Sequence, residues 1–309
     1  MTIDARPAPQ RGGTDTRGLL YACGAYGTWG MFPAFFPLLQ PASAPEVLAH
    51  RIVWTCVFMA VVLVAVGRLS DLRAITGRTW LLLICASVLI SVNWLIYVYA
   101  VNSGHVVDAA LGYFINPLVS VLLGMLIFGE RLNRAQAVAV LIAVVAILVL
   151  AVGADATPAI GLGLAASFGF YGVVKKVVTV DPRVSVGVEA GIAAPLAVVF
   201  LIALQVSGHG QFTNHGPGHA VLMMLAGPLT AIPLLMFAAA AQRLPLVTLG
   251  LLMYFNPALQ MTWGILVGHE PMPTARWLGF TLIWVALIIF SADAVFRTYR
   301  GRAGKLLSS

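Results

Sequence analysis

Five ionisable residues, Glu46, His50, Arg51, Asp108 and Glu189, stand inside long runs of apolar residues. A charge at the centre of a bilayer costs about 3 kcal/mol or more on insertion scales, so such residues are functional candidates by default. Carboxylates and an imidazole can take up and release a proton, and a guanidinium can order the acids around it. Glu46 and His50 are an i, i+4 pair and share one helix face. Arg51 falls roughly 8–9 Å into its helix if that helix starts near residue 45, and Asp108 opens another apolar run at the same outer level. The expectation is a coupling or gating cluster of Glu46, His50, Arg51 and Asp108, with Glu189 as the related acid of the second half. A plainer role stays open for Glu46, Asp108 and Glu189. Each falls in an expected first helical turn, where the dipole favours an acid by ~0.3–1 kcal/mol.

A second set of polar positions is duplicated. "GYFINPLVSVLLGMLIFGERLN" begins at Gly112, and "MYFNPALQMTWGILVGHEPMP" begins at Met253. Asn116-Pro117 and Asn256-Pro257 occupy matching places, with Glu130 and Glu270 matching downstream. A helical proline removes a backbone hydrogen bond, and the neighbouring amide adds a donor and an acceptor. Such backbone is tolerated at membrane depth where protein or a watery cavity satisfies it. The pairs are therefore expected on the cavity-lining helix of each half; a plain packed kink is the competing explanation. Tyr26, Trp29, Asn93, Trp94, Tyr97, Tyr113, Tyr171 and Tyr254 add polar-tipped side chains that could hold an amphipathic solute flat and orient it.

The elements that must position these groups are membrane helices. The chain is 60% hydrophobic and 9% charged, with a mean hydropathy of +0.95, far from soluble domains. A span needs ~20 mostly apolar residues. Ten runs qualify, near 18–39, 46–67, 79–101, 105–128, 135–152, 158–176, 186–206, 219–241, 245–267 and 274–296. The expected fold is an all-α polytopic membrane protein of ten transmembrane helices. Residues 1–17 read as a disordered cytoplasmic tail and 297–309 as a basic cytoplasmic tail.

Lys and Arg collect on the cytoplasmic side. With both termini inside, the tail arginines, Arg68, Arg73, Arg78, Arg131, Arg134, Lys175, Lys176, Arg183 and Arg243 are all cytoplasmic, and only Arg51 and Arg276 are not. Aligning the Asn-Pro pairs also brings "YGTWG" (26–30) against "FGFYG" (168–172) and Glu46 against Glu189. Each half, 18–152 and 158–296, then holds five spans. An odd number inverts the second half, the build of many secondary transporters. Arg51 and Asp108 map to Ala194 and Thr248, which confines the charge to one half. Ala139, Ala143 and Ala146 give the fifth span a small face, so the fifth and tenth spans are expected outside the cavity and are candidates for a homodimer contact.

Several chemistries are set aside. The net charge of +7 is scattered rather than gathered in a basic patch, so no nucleic-acid partner is expected. Cys23, Cys56 and Cys85 have neither CxxC spacing nor a nearby His, and no metal or cofactor is expected. "GLGLAA" at 161–166 lacks the strand and distal acid of a dinucleotide site and reads as close helix packing. There is no nucleophile elbow in its strand-turn-helix setting and no Walker A motif. His209, His215 and His219 read as a solvated external loop.

Residues "GAYGTWG", "EVLAHR", "NWLIYVYAVNSGHVVDAALGYFINPL" and "FGERL" resemble the RarD branch (chloramphenicol-sensitivity protein) of the EamA-type drug/metabolite transporter superfamily, over residues 18–296. The resemblance implies a ten-helix bacterial inner-membrane carrier of two EamA repeats that exports a small solute; with no nucleophile or metal set in the sequence, no enzyme activity is expected. "HEPMP" stands where the first half has "GERLN". With an ion gradient as the energy source, proton coupling would rest on the outer carboxylates and His50. A non-transporting membrane sensor or assembly protein is the alternative from another class.

Overall fold

The computed structural model describes residues 15–102, 106–151, 158–267 and, with breaks, 274–296; the two tails and Glu270 lie outside the described residues. All regular structure among them is helical. Helix α1, Thr16–Gly30, starts where the Asp15 carboxylate accepts from the amides of Arg17 (2.9 Å) and Gly18 (3.2 Å). The expected first span does not run through to residue 39. It breaks at Met31 into α2, Phe32–Phe35, and a 3-10 turn, Phe36–Leu39, each carrying a proline in its first turn. A proline there loses no hydrogen bond, because first-turn amides have no intrahelical partner.

Six long helices follow, each close to its expected position: α3 Ala44–Ala65, α4 Gly77–Asn102, α5 Val106–Phe128, α6 Arg134–Ala151, α7 Pro158–Val177 and α8 Pro182–Val206. Helix α9 is Gly216–Ala241. The ninth run divides at Tyr254 into α10, Leu246–Met253, and α11, Phe255–Leu266. The two Asn-Pro pairs therefore sit differently. Pro117 lies inside an unbroken α5, whereas Asn256 and Pro257 occupy the first turn of α11, just after the break. Among the described residues five helices are long and apolar enough to cross a membrane, with shorter apolar stretches at Gly112–Phe128, Arg134–Val149 and Trp277–Phe290.

The outward faces confirm what solvent the bundle expects. Leu81, Ile84, Val88 and Leu95 of α4 and Leu196, Val199, Ile202 and Val206 of α8 are all exposed. A continuous apolar exterior of this kind suits hydrocarbon and would be a liability in water. Cys23 and Cys85 also face outward rather than packing in the core.

Packing is interleaved. Helix α3 packs on α8 and α9, α1 on α9 and α11, α4 on α7 and α8, and α5 on α7 and α10. Each of these contacts joins the first half of the chain to the second, and they outweigh the contacts within either half. Glycines permit the closest crossings. A Cβ on Gly112 of α5 would stand 3.0 Å from the Cα and carbonyl oxygen of Gly161 in α7, and one on Gly250 of α10 would stand 2.7 Å from the Pro117 carbonyl oxygen. Gly227 of α9 meets the backbone of Trp54 in the same way. The alanine face of α6 is consumed inside the chain: Ala143 and Ala146 are fully buried against Phe114, Tyr254 and Ile283. Its exposed side carries Val138, Leu141, Val145 and Leu148 instead.

One end of the bundle is laced with charge. Arg68 pairs with Asp71 and Asp181 (both 3.1 Å), Arg183 with Asp181 (2.8 Å), Lys176 with Glu130 (3.4 Å) and Arg243 with Asp15 (3.9 Å). The Arg183 guanidinium, hydrogen-bonded to the Asp181 carboxylate, holds that acid below its ordinary value of 3.8.

Candidate functional site

Helix α3 starts at Ser43, whose hydroxyl accepts from the amide of Glu46 (3.4 Å), with Pro45 in the first turn. This start fixes the phase of the three ionisable residues on α3. Successive helical residues point about 100° apart, so Glu46 and His50 face one way and Arg51 another. The expected single cluster is therefore split in two. Asp108 belongs to α5, and its side chain lies outside the described residues.

Glu46 and His50 meet the loop between α8 and α9. Glu46 Oε1 accepts from the Gln211 amide (2.6 Å). Phe212 stacks on the His50 ring at 4.6 Å, and Trp54 Nε1 donates to His50 Nδ1 (3.3 Å). His219 is buried at the start of α9, its Nε2 3.1 Å from the Leu39 carbonyl, rather than sitting in a solvated loop; His209 and His215 are exposed. Glu46 Oε2, His50 Nε2 and His219 Nδ1 are buried with no hydrogen-bond partner among the described residues. The 207–215 segment thus closes this end of the bundle over the start of α3.

Arg51 turns inward. Its Nε donates to Thr230 Oγ1 of α9 (3.0 Å), and Thr230 in turn donates to the Ala226 carbonyl (2.7 Å). Three rings surround the guanidinium: Trp94 at 4.9 Å, Phe36 at 5.4 Å and Phe32 at 5.5 Å from its carbon. The break in the first span is what brings Phe32 and Phe36 there. Tyr97 and Tyr113, with ring centroids 5.7 Å apart, stand within electrostatic range. Among the described residues no carboxylate lies within ion-pair distance of Arg51.

Trp94 also lines a cavity of about 20 Å³, together with Ile52, Thr55, Ser87, Ser91 and Glu189 among others, room for about one water molecule. Glu189 is not in a first turn, because α8 begins four residues earlier than hydropathy indicated, at Pro182. It is the centre of a buried network. Lys175 Nζ donates to Glu189 Oε1 (2.6 Å) and to Ser185 Oγ (2.6 Å), Ser185 Oγ donates to the same Oε1 (2.7 Å), and Tyr171 OH donates to Oε2 (3.1 Å). The sequence places Lys175 on the cytoplasmic side, at the end of the run 158–176; its side chain is 1% exposed, turned into the bundle. Hydropathy places a terminal lysine at the interface, and nothing local reveals that an acid on the next helix draws it in.

Most of the remaining expected site residues make hydrogen bonds or ring contacts between helices. Asn93 Nδ2 donates to the Leu164 carbonyl and to Ser167 Oγ (both 2.9 Å). Asn116, with its amide nitrogen facing α7, donates to the carbonyls of Leu164 (3.2 Å) and Ala165 (3.0 Å). Both amides bind α7 to its neighbours. Tyr26, Tyr171 and Tyr254 are fully buried. Tyr26 OH donates to the Leu249 carbonyl (3.1 Å) and Tyr254 OH to that of Phe114 (3.2 Å). Tyr26, Trp29, Phe168, Tyr171 and Phe237 form one aromatic cluster with centroid separations of 5.4–6.3 Å. The Pro257 side chain lies outside the described residues, and Asn256 is half-buried. Glu130 accepts from the amides of Leu246 and Val247 (both 2.8 Å), capping α10. Sequence reasoning missed Lys175, Ser185, Thr230, Phe32 and Phe36.

Comparison with known proteins gives this geometry its family. The profile of the EamA-like transporter family matches residues 16–152. The chain is 47% identical to protein RarD of Streptomyces exfoliatus, over 93% of this chain and 91% of that one. It is 40% identical to the uncharacterized transporter YojE of Bacillus subtilis, over 90% and 95%, and 38% identical to protein RarD of Escherichia coli, over 92% and 97%. A solved crystal structure superposes with a TM-score of 0.72 over 90% of this chain and 98% of its own, at 17% identity, a likeness of fold alone. Near-complete coverage of these relatives, together with the apolar helices, makes this a multi-pass membrane protein that belongs to the RarD branch of the EamA-like transporter family.

Proposed function

We propose that the protein is a secondary carrier that exports a small amphipathic solute by alternating access, built from ten spans in two inverted repeats, 18–152 and 158–296. The interleaved packing supports the repeat. Exchanging α1 with α7, α3 with α8, α4 with α9 and α5 with the α10–α11 pair maps the main contacts onto one another: α1·α9 onto α4·α7, and α3·α9 onto α4·α8. The ion-paired end, rich in Lys and Arg, is cytoplasmic by the charge rule, as are both termini. The 207–215 loop is then external, in a bacterial inner membrane.

The observation that carries transport is the pairing of an Arg51 box with a buried Lys175–Glu189 pair around a cavity too small for a solute. Pockets that hold small-molecule ligands measure roughly 300–1,000 Å³, so the helices from the two halves must part to admit one. Glu189 both lines that cavity and holds an ion pair, which makes it the preferred proton carrier, with the Glu46–Gln211 bond acting as the external gate. The test is uptake of a radiolabelled panel of acids, bases and neutral solutes into proteoliposomes, with and without an imposed pH gradient. Accumulation of at least one solute, accelerated by the gradient in the wild type and not in Glu189→Gln, is expected. No uptake of any panel member would sink the carrier reading, and an unchanged pH response in Glu189→Gln would sink the coupling role.

A further inference from the structure

Every other described cation is either exposed or matched to a carboxylate. Lys175 has Glu189, Lys176 has Glu130, Arg68 and Arg183 have Asp181, and Arg243 has Asp15. Arg17, Arg73, Arg78, Arg131 and Arg134 are exposed. Arg51 is neither. It is half-buried in the membrane portion, two turns into α3. Its one hydrogen bond to a described residue uses Nε and the neutral hydroxyl of Thr230. That bond fixes the plane of the guanidinium and leaves the Nη1 and Nη2 edge without a partner among the described residues. Rings can screen a cation from lipid, but they cannot hydrogen-bond to its edge. Two parallel N–H donors on a planar fork match a carboxylate in bidentate geometry.

From this we infer that Arg51 is the anchor for the transported solute, and that the solute is a monocarboxylate carried on an aromatic or apolar body. Phe32, Phe36 and Trp94 supply flat apolar walls beside the anion, and all three are half-buried, so they have surface left to cover. Glu189, which lines the adjoining cavity, is not a counter-site for a cationic group, because it already accepts from Lys175, Ser185 and Tyr171. The inference deepens the carrier reading and rests on it only for the statement that the bound carboxylate moves.

The experiment is binding to the purified full-length protein in nanodiscs, followed by tryptophan fluorescence and thermal shift. It uses phenylacetate, its neutral amide phenylacetamide, the cation phenethylamine, and formate. Phenylacetate should bind about tenfold or more tighter than the amide and the amine, as a charge-assisted bidentate contact requires, and tighter than formate, which has no body for the rings. Arg51→Gln should abolish the preference for the anion. Arg51→Lys should keep the preference and weaken the affinity, since the charge survives and the fork does not. The charge series on the wild type needs no variant to fold. Equal binding of phenylacetate and phenylacetamide would overturn the inference, and formate binding as tightly as phenylacetate would overturn its aromatic part. Anion binding gained only in Asp108→Asn would overturn it too, by showing that Arg51 is already neutralised within the chain. Counterflow measured in parallel separates the two readings: anion-selective binding without counterflow sinks the carrier and leaves the anchor, and counterflow of an uncharged solute alone does the reverse.

Discussion

Lys175→Met tests the buried network where the structure is most explicit. The substitution keeps the volume of the stem and removes the ammonium that bonds to Glu189 Oε1 and Ser185 Oγ, both at 2.6 Å. Glu189 then remains 5% exposed, with only the hydroxyls of Ser185 and Tyr171 for its charge. Truncating one member of a buried pair costs about 3–5 kcal/mol, because the surviving charge keeps its desolvation penalty. The two hydroxyls offset part of that, which places the expected loss near the lower end, about 3 kcal/mol. Glu189→Leu alone should cost a similar amount by stranding the ammonium. The double variant removes both charges and should recover most of the loss, since an apolar replacement of a buried pair is commonly neutral or stabilising. The assay is chemical or thermal unfolding of the purified protein in detergent, closed as a double-mutant cycle. A double variant as unstable as the sum of the singles would refute the reasoning. So would a wild-type-like Lys175→Met. Loss of pH-driven transport in a recovered double variant would then belong to function and not to folding.

Glu130→Ala should destabilise by about 1–2 kcal/mol, the cost of losing a helix cap, because two amides of α10 lose their acceptor; Glu130→Gln, which keeps one acceptor oxygen, should lose less, and unfolding curves decide. Gly227→Leu should abolish folded protein in the membrane, since its Cβ position is already occupied by the Trp54 backbone, as read by a fluorescence-detected size-exclusion profile. Asn116→Ala should lower stability and leave Pro117 in place; transport lost at full stability would show the amide touching solute rather than α7. The Asp181 acid is held below 3.8 in the folded protein, so its stabilisation is complete well above that value and lost as pH falls through the depressed one. The gap between wild type and Asp181→Asn should close on acidification.

Much of the helical frame was legible. The expected run 105–128 and the helix Val106–Phe128 differ by one residue at one end, because uninterrupted apolar length is a strong local signal. The family was legible too, through contiguous motifs. Side-chain partners were not. Arg51 and Thr230 are 179 residues apart, and Tyr26 donates to a carbonyl 223 residues away. Nothing in either neighbourhood encodes that encounter; only the packing of one helix against another does. Tyr26, Asn93, Asn116 and Tyr254 illustrate this. A hydroxyl or amide inside an apolar run must find a partner, and for these four the partner is a backbone carbonyl on another helix.

Interleaving has a consequence for synthesis. At about 5–20 residues per second, the ribosome reaches Thr230 roughly 10–40 s after Arg51, given their separation of 179 residues. The early helices are already in or near the membrane before their partners exist: Asn93 and Asn116 wait for α7, which is made partway through the interval, and Arg51 waits for α9 at its end. A nascent first half is therefore a membrane intermediate with exposed polar groups, the kind of species that insertases shield and quality-control proteases recognise. Splitting the gene between α6 and α7 should yield fragments that accumulate only when co-expressed.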